Sequence, residues 1–165
     1  MGIHFNADEV FEVAVRIEDN GAAFYRKAAA IQMEEENRAF LEKLALMEQQ
    51  HKKTFIEMRE QLTDKEKESQ VYDPDGEISL YLNAMADAHG GEGTPSVGDS
   101  LTGEESLQDI LNIAIDLEKK SILYYVGLKE MVPPRLGSNK IDTIIAEERK
   151  HIVQLSDVLA KVRNT

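Results

Sequence analysis

Leu44-Ala45-Leu46-Met47-Glu48-Gln49-Gln50-His51 returns one hundred residues later as Ile144-Ile145-Ala146-Glu147-Glu148-Arg149-Lys150-His151. In both copies apolar residues three and four apart set a helical period, and a Glu and a His interrupt it at i and i+3. The same offset of 100 aligns more of the chain without a gap. Ile17-Glu18-Asp19-Asn20-Gly21-Ala22-Ala23-Phe24-Tyr25 falls on Leu117-Glu118-Lys119-Lys120-Ser121-Ile122-Leu123-Tyr124-Tyr125. Downstream, Phe55, Met58 and Leu62 meet Leu155, Val158 and Val162. Two helical hairpins related by duplication account for the pattern.

Local chemistry sets the expected boundaries. Asn6 with Glu9 makes a capping pair that opens the first helix, and Thr102 with Glu105 is expected to open the third. Pro133-Pro134-Arg135-Leu136-Gly137 breaks the second hairpin, with Ser138 expected to cap the helix that follows. The first hairpin has no Gly or Pro at its turn, yet the repeat places that turn between Gln32 and Asn37. Helices are therefore predicted at 7–31, 37–62, 104–131 and 139–163. Residues 63–103 form a crossover long enough to run the length of the hairpins. Helices two and three then lie parallel in one all-α four-helix domain spanning 1–165.

Charge separates the connector from the hairpins. Of the formal −12, residues 63–105 carry −9, from 11 acids against Lys65 and Lys67 alone. This stretch also holds Pro74, Pro95 and six of the ten glycines, and only Glu77 to Ala88 has the spacing of a short helix. It reads as a solvated connector, with docking of a basic electron carrier as the alternative. The net acidity argues against nucleic acid and against an anionic membrane surface as partners. No cysteine is present, which excludes disulfides, thiol nucleophiles and thiolate metal sites. There is no apolar run of membrane-spanning length, and Met1-Gly2-Ile3-His4-Phe5 lacks signal-peptide character, so a cytoplasmic location is expected.

The sharp feature is the polar residues within the apolar seams. Glu18 interrupts Phe11, Ala14, Val15, Ala22 and Tyr25; Glu118 interrupts Leu111, Ala114, Ile115, Ile122 and Tyr125. Glu48 and His51 break the second seam, Glu148 and His151 the fourth, and no Lys or Arg lies on these stripes to neutralise them. Four unpaired carboxylates in one core would cost several kcal/mol each, on the order of the whole stability of a domain. Two divalent cations balance four carboxylates, and two imidazoles complete the donor set. A Glu from each of two helices plus Glu-x-x-His from each of the other two is the ligand pattern of di-iron and di-manganese carboxylate bundles. Oxygen and nitrogen donors alone favour iron or manganese over softer metals. The expected ligands are Glu18, Glu48, His51, Glu118, Glu148 and His151. Tyr25 and Tyr125, on the same faces, are expected to pack in the core, with hydrogen bonding to a ligand carboxylate as the alternative. His4 and His89 read as bystanders, and Met47, Met58 and Met85 as core filler.

Glu18 with Phe24-Tyr25, Leu44-Ala45-x-x-Glu48-x-x-His51, Glu118 with Tyr124-Tyr125, and Ala146-x-Glu148-x-x-His151 resemble the rubrerythrin branch of the ferritin-like superfamily. Tyr81-Leu82-Asn83-Ala84-Met85-Ala86-Asp87 in the crossover resembles it as well. The resemblance implies two iron ions bridged by Glu48 and Glu148, with Glu18, Glu118, His51 and His151 as terminal ligands. It implies redox chemistry with peroxide or O₂. Rubrerythrins proper carry a further carboxylate one turn after the third-helix ligand, where this chain has Ser121, so the set here is the symmetric one, closer to bacterioferritin. Without cysteines there is no rubredoxin-like module, and electrons are expected from an external donor. A homodimer is expected; iron storage and a structural Zn or Mn site are the alternative functions.

Overall fold

The computed structural model describes residues 6–68, 75–88 and 96–165, so the readings of His4 and His89 lie outside the described residues. Four long helices build the bundle: α1 (Ala7–Ala30), α2 (Glu35–Glu60), α5 (Leu107–Met131) and α6 (Asn139–Arg163), with α3 (Asp64–Glu68) and α4 (Glu77–Ala88) in the crossover. At about 1.5 Å per residue each long helix spans roughly 38 Å. Among the described residues there is no strand.

The first helix opens as its sequence dictates. The Asn6 side chain accepts from the Glu9 amide and the Glu9 carboxylate accepts from the Asn6 amide, each at 2.9 Å. Two such reciprocal bonds satisfy donors that the helix itself cannot. The second half departs from expectation at its start. Thr102 and Glu105 do bond, but in a turn before the helix, whereas α5 begins at Leu107 under a capping box of Ser106 and Asp109. Ser106-x-x-Asp109 lies four residues downstream of Thr102-x-x-Glu105, and both satisfy the capping pattern by spacing alone. Ser138 does stand at the cap position of α6, but its hydroxyl turns to Asp142 rather than to the helix amides.

The first turn is short and tied by side chains in place of Gly or Pro. The Gln32 amide donates to the Ala28 carbonyl at 3.1 Å, and Arg38 donates to the Gln32 carbonyl at 3.1 Å. These bonds occupy carbonyls at the end of α1 and let α2 begin at Glu35, two residues earlier than predicted.

Pairings along the helices establish their directions. Phe11 meets Phe55 with ring centroids 6.4 Å apart, and Arg59 pairs with Asp8, so α1 and α2 are antiparallel. The Tyr124 hydroxyl donates to the Val10 carbonyl while Tyr25 reaches Glu118, so α1 and α5 are antiparallel too. It follows that α2 and α5 run parallel, as the crossover requires.

The crossover is more structured than expected, since α3 and a 3-10 turn at Val97–Ser100 accompany α4. Helix α4 lies on α5: Tyr81 donates to the Leu123 carbonyl, and a Cβ at Gly127 would meet the Tyr81 ring at 2.6 Å. The 3-10 turn lies on α1, with Gly98 close against the Phe24 backbone and Lys27 paired to Asp99 at 2.6 Å.

Two apolar clusters fill the bundle. One gathers Phe11, Phe55, Met58, Tyr124, Leu128 and Ile141; the other gathers Phe24, Leu41, Leu44, Ile110, Leu111 and Leu155. Between them lies a layer of buried charge.

Candidate metal centre

The central layer brings together all six predicted ligands. Glu18, Glu48, Glu118 and Glu148 are at most 3 % exposed, and His51 and His151 are buried beside them. Each comes from the middle of a different long helix or, for the Glu-x-x-His pairs, from two positions one turn apart on the same face. His51 Nδ1 lies 3.1 Å from Glu148 Oε1 and 3.5 Å from Glu18 Oε2. His151 Nδ1 lies 2.9 Å from Glu148 Oε2, 3.3 Å from Glu118 Oε1 and 3.5 Å from Glu48 Oε1. The two imidazoles stack at 5.8 Å between centroids.

The donor atoms fall into two overlapping sets. Glu18, Glu48, His51 and Glu148 each offer an atom within 4.8 Å of the others, and so do Glu48, Glu118, Glu148 and His151. Glu48 and Glu148 belong to both. Among the described residues four buried polar atoms of this layer, Glu18 Oε2, Glu48 Oε1, Glu148 Oε2 and His151 Nδ1, make no aligned hydrogen bond, although the last two stand 2.9 Å apart. Buried oxygens and nitrogens without partners are costly, and here they converge as cation ligands would. The residues present therefore fit a pair of divalent ions.

Electrostatics make the same point. Burial, then the charges of Glu148 and Glu18, push the Glu48 carboxyl well above its ordinary range. Burial and the neighbouring Glu118 and Glu18 raise Glu148 to about 8. Burial by itself would lower both imidazoles, but contacts with Glu148 and Glu18 lift His51 to about 11, and contacts with Glu118 and Glu148 lift His151 to about 9. The cluster holds onto positive charge, whether as protons or as metal.

Tyr25 and Tyr125 are both core residues and hydrogen-bond donors, so core packing, which was expected ahead of hydrogen bonding, is only half of their role. Tyr25 donates to Glu118 Oε1 at 2.5 Å, and Tyr125 donates to Glu18 Oε1. Each reaches from one repeat to the carboxylate of the other. Burial and the facing carboxylates raise both phenols well above their ordinary value, which keeps them protonated as donors.

Sequence reasoning passed over three further residues. Gly21 stands so close to Glu48 that a Cβ there would lie 2.6 Å from Glu48 Oε2. Its place one turn after Glu18 was the available signal. Glu147 Oε2 lies 2.7 Å from His51 Nε2, and Met47, read as core filler, sets its sulfur 3.4 Å from His151 Nε2. Met58 is core as expected, and Met85 is partly buried against the same cluster. A cavity of about 20 Å³ touches the layer, lined in part by Asn20, Gly21, Tyr25, Glu48, Glu118 and Ser121. It has room for one water-sized molecule.

Fold and site together define a four-helix bundle with a buried carboxylate and histidine centre suited to metal. The bundle is ferritin-like: it resembles the crystal structure of a candidate ferritin-like diiron-carboxylate protein from Thermotoga maritima, at a TM-score of 0.72. That likeness covers 96 % of this chain and 97 % of the other, at 23 % sequence identity. No protein-family profile and no curated protein matches the sequence. No helix among the described residues is long and apolar enough to cross a membrane.

Proposed function

We propose that the chain is a di-iron carboxylate protein of the rubrerythrin-like kind, an oxidoreductase that reduces peroxide or O₂ with electrons from an external donor. Glu48 and Glu148 would bridge the two ions, with Glu18 and His51 on one side and Glu118 and His151 on the other. The observation that carries this reading is the pair of overlapping donor sets that share Glu48 and Glu148. The neighbour described as a diiron-carboxylate protein favours iron as the occupant.

When bound, a ferrous pair supplies the two electrons that, with two protons, convert hydrogen peroxide to two waters. The chain's own residues prepare that chemistry. Tyr25 and Tyr125 orient the carboxylates of Glu118 and Glu18 by donating to one oxygen of each, and on Glu18 the other oxygen makes no hydrogen bond. The two apolar clusters on either side keep bulk water from the layer. The small cavity beside Gly21 and Ser121 reaches Glu48 and Glu118 and offers a small molecule a place next to the layer. These 165 residues hold no cysteine and so no iron–sulfur or thiolate relay, which supports a donor outside this bundle.

The test is anaerobic reduction of the iron-loaded chain followed by rapid mixing with hydrogen peroxide. Oxidation of both ferrous ions within seconds, without release of iron, is expected. Ferrous ions that persist under those conditions would instead favour a structural or storage role.

A further inference from the structure

The offset of 100 that relates the halves also pairs the residues around the centre: Glu18 with Glu118, Tyr25 with Tyr125, Glu48 with Glu148, His51 with His151. Beside the ligands it fails at Gly21, which meets Ser121, and at a second place, on the outer side of the two histidines. Both imidazoles turn Nδ1 inward to the carboxylates and Nε2 outward. The outer nitrogen of His51 meets Glu147 Oε2 at 2.7 Å, whereas that of His151 meets Met47 Sδ at 3.4 Å. Glu147 and Met47 are the same position of the repeat, so a carboxylate stands on one side where a thioether stands on the other.

The chemical consequence follows from what each group can accept. With Nδ1 facing a cation, Nε2 carries the ring proton. A carboxylate accepting that proton's hydrogen bond fixes the ring's tautomer and orientation and makes it a stronger donor. A thioether is a weak acceptor and brings no charge. We propose that Glu147 is a positioning residue that makes the two metal positions unequal. The position framed by Glu18, Glu48, His51 and Glu148 binds its ion more tightly than the position framed by Glu48, Glu118, Glu148 and His151. This rests on the two-metal reading above. It goes beyond that reading in assigning an order of filling that the six ligands, taken alone, would make symmetric.

Glu147 is a third exposed on its side chain, so replacing it leaves the packed layer intact. The experiment is anaerobic titration of the metal-free chain with Fe(II), followed by calorimetry, with Mössbauer spectra taken at one and two equivalents. The natural chain should fill in two steps whose dissociation constants differ by on the order of tenfold or more. Its one-equivalent sample should show a single dominant quadrupole doublet. Glu147→Ala should weaken the first step by about tenfold and merge it with the second. Glu147→Gln, which keeps an acceptor, should restore part of the separation. Met47→Glu should tighten the second step and merge the two from the other direction. A tether without influence on the ring would lower thermal stability in Glu147→Ala and leave both steps in place, which would overturn the proposal. Two equal steps in the natural chain would overturn it too. No binding of Fe(II) at all would be a different failure, that of the two-metal reading itself.

Discussion

Tyr25 of the first repeat donates its hydroxyl hydrogen to Glu118 of the second, and Tyr125 returns the same bond to Glu18. The two halves of the chain therefore hold each other's carboxylates. A hydrogen bond to a charged acceptor is worth about 1.5–3 kcal/mol net, and its loss leaves a buried oxygen unpaired.

Tyr25→Phe and Tyr125→Phe test that exchange. Each should lower thermal stability modestly and weaken metal binding on the order of tenfold, because the freed carboxylate no longer holds its orientation. Parallel melting curves and metal titrations of the two variants check this. Unchanged affinity in both would show that the phenols serve packing alone.

Gly21→Ala separates the helix from the site. Alanine is the better helix former by about 0.8–1.0 kcal/mol. Its Cβ would nonetheless lie 2.6 Å from Glu48 Oε2, the far end of a flexible side chain that can move aside. The metal-free chain should hold or gain stability while its metal affinity falls. Affinity equal to that of the natural chain would contradict the position assigned to Glu48.

Glu148→Gln should act in the same opposed way for a different reason. Glu148 is fully buried among three other carboxylates, and its amide relieves that repulsion. Melting of the metal-free variant should occur at a higher temperature than in the natural chain, and loading with two ions should fail because a donor shared by both sets has lost its charge. A variant that still binds two ions would remove Glu148 from its bridging place.

The pH dependence should change sign with metal. In the chelator-treated chain Glu148 is raised from an ordinary 4.5 to about 8, so the folded state keeps a proton that the unfolded chain releases. That contribution is complete below pH 4.5 and disappears as the pH rises through 8. His151 and His51, raised to about 9 and about 11, extend the same trend upward. Metal needs those ligands deprotonated, so the loaded chain gains as the pH rises. Paired melts between pH 5 and 8 should show a gap between loaded and stripped protein that widens with pH; a constant gap would contradict it.

Much of this was legible in the sequence because duplication prints every signal twice. Glu48 with His51 alone could be a solvated face; the same pair at 148 and 151, with Glu18 and Glu118 in matching seams, leaves few other readings. Features unique to one copy were less visible. Thr102 and Glu105 have the spacing of a cap expected to open the third long helix, but the packed chain begins it under Ser106 and Asp109. Glu147 sits beside a ligand in sequence but acts on a histidine of another helix, a contact that no periodicity encodes. The α3 helix and the 3-10 turn at Val97–Ser100 each open on a local cap, Thr63 with Glu66 and Ser96 with Asp99, and are tied to the bundle through Arg135 and Lys27.

The proposed function requires two iron ions among Glu18, Glu48, His51, Glu118, Glu148 and His151. Elemental analysis of the chain purified from iron-replete cells, joined to its Mössbauer spectrum, tests it most directly. Two irons per chain are expected, in a coupled pair that Glu148→Gln abolishes. One ion per chain, or zinc in place of iron, would contradict it.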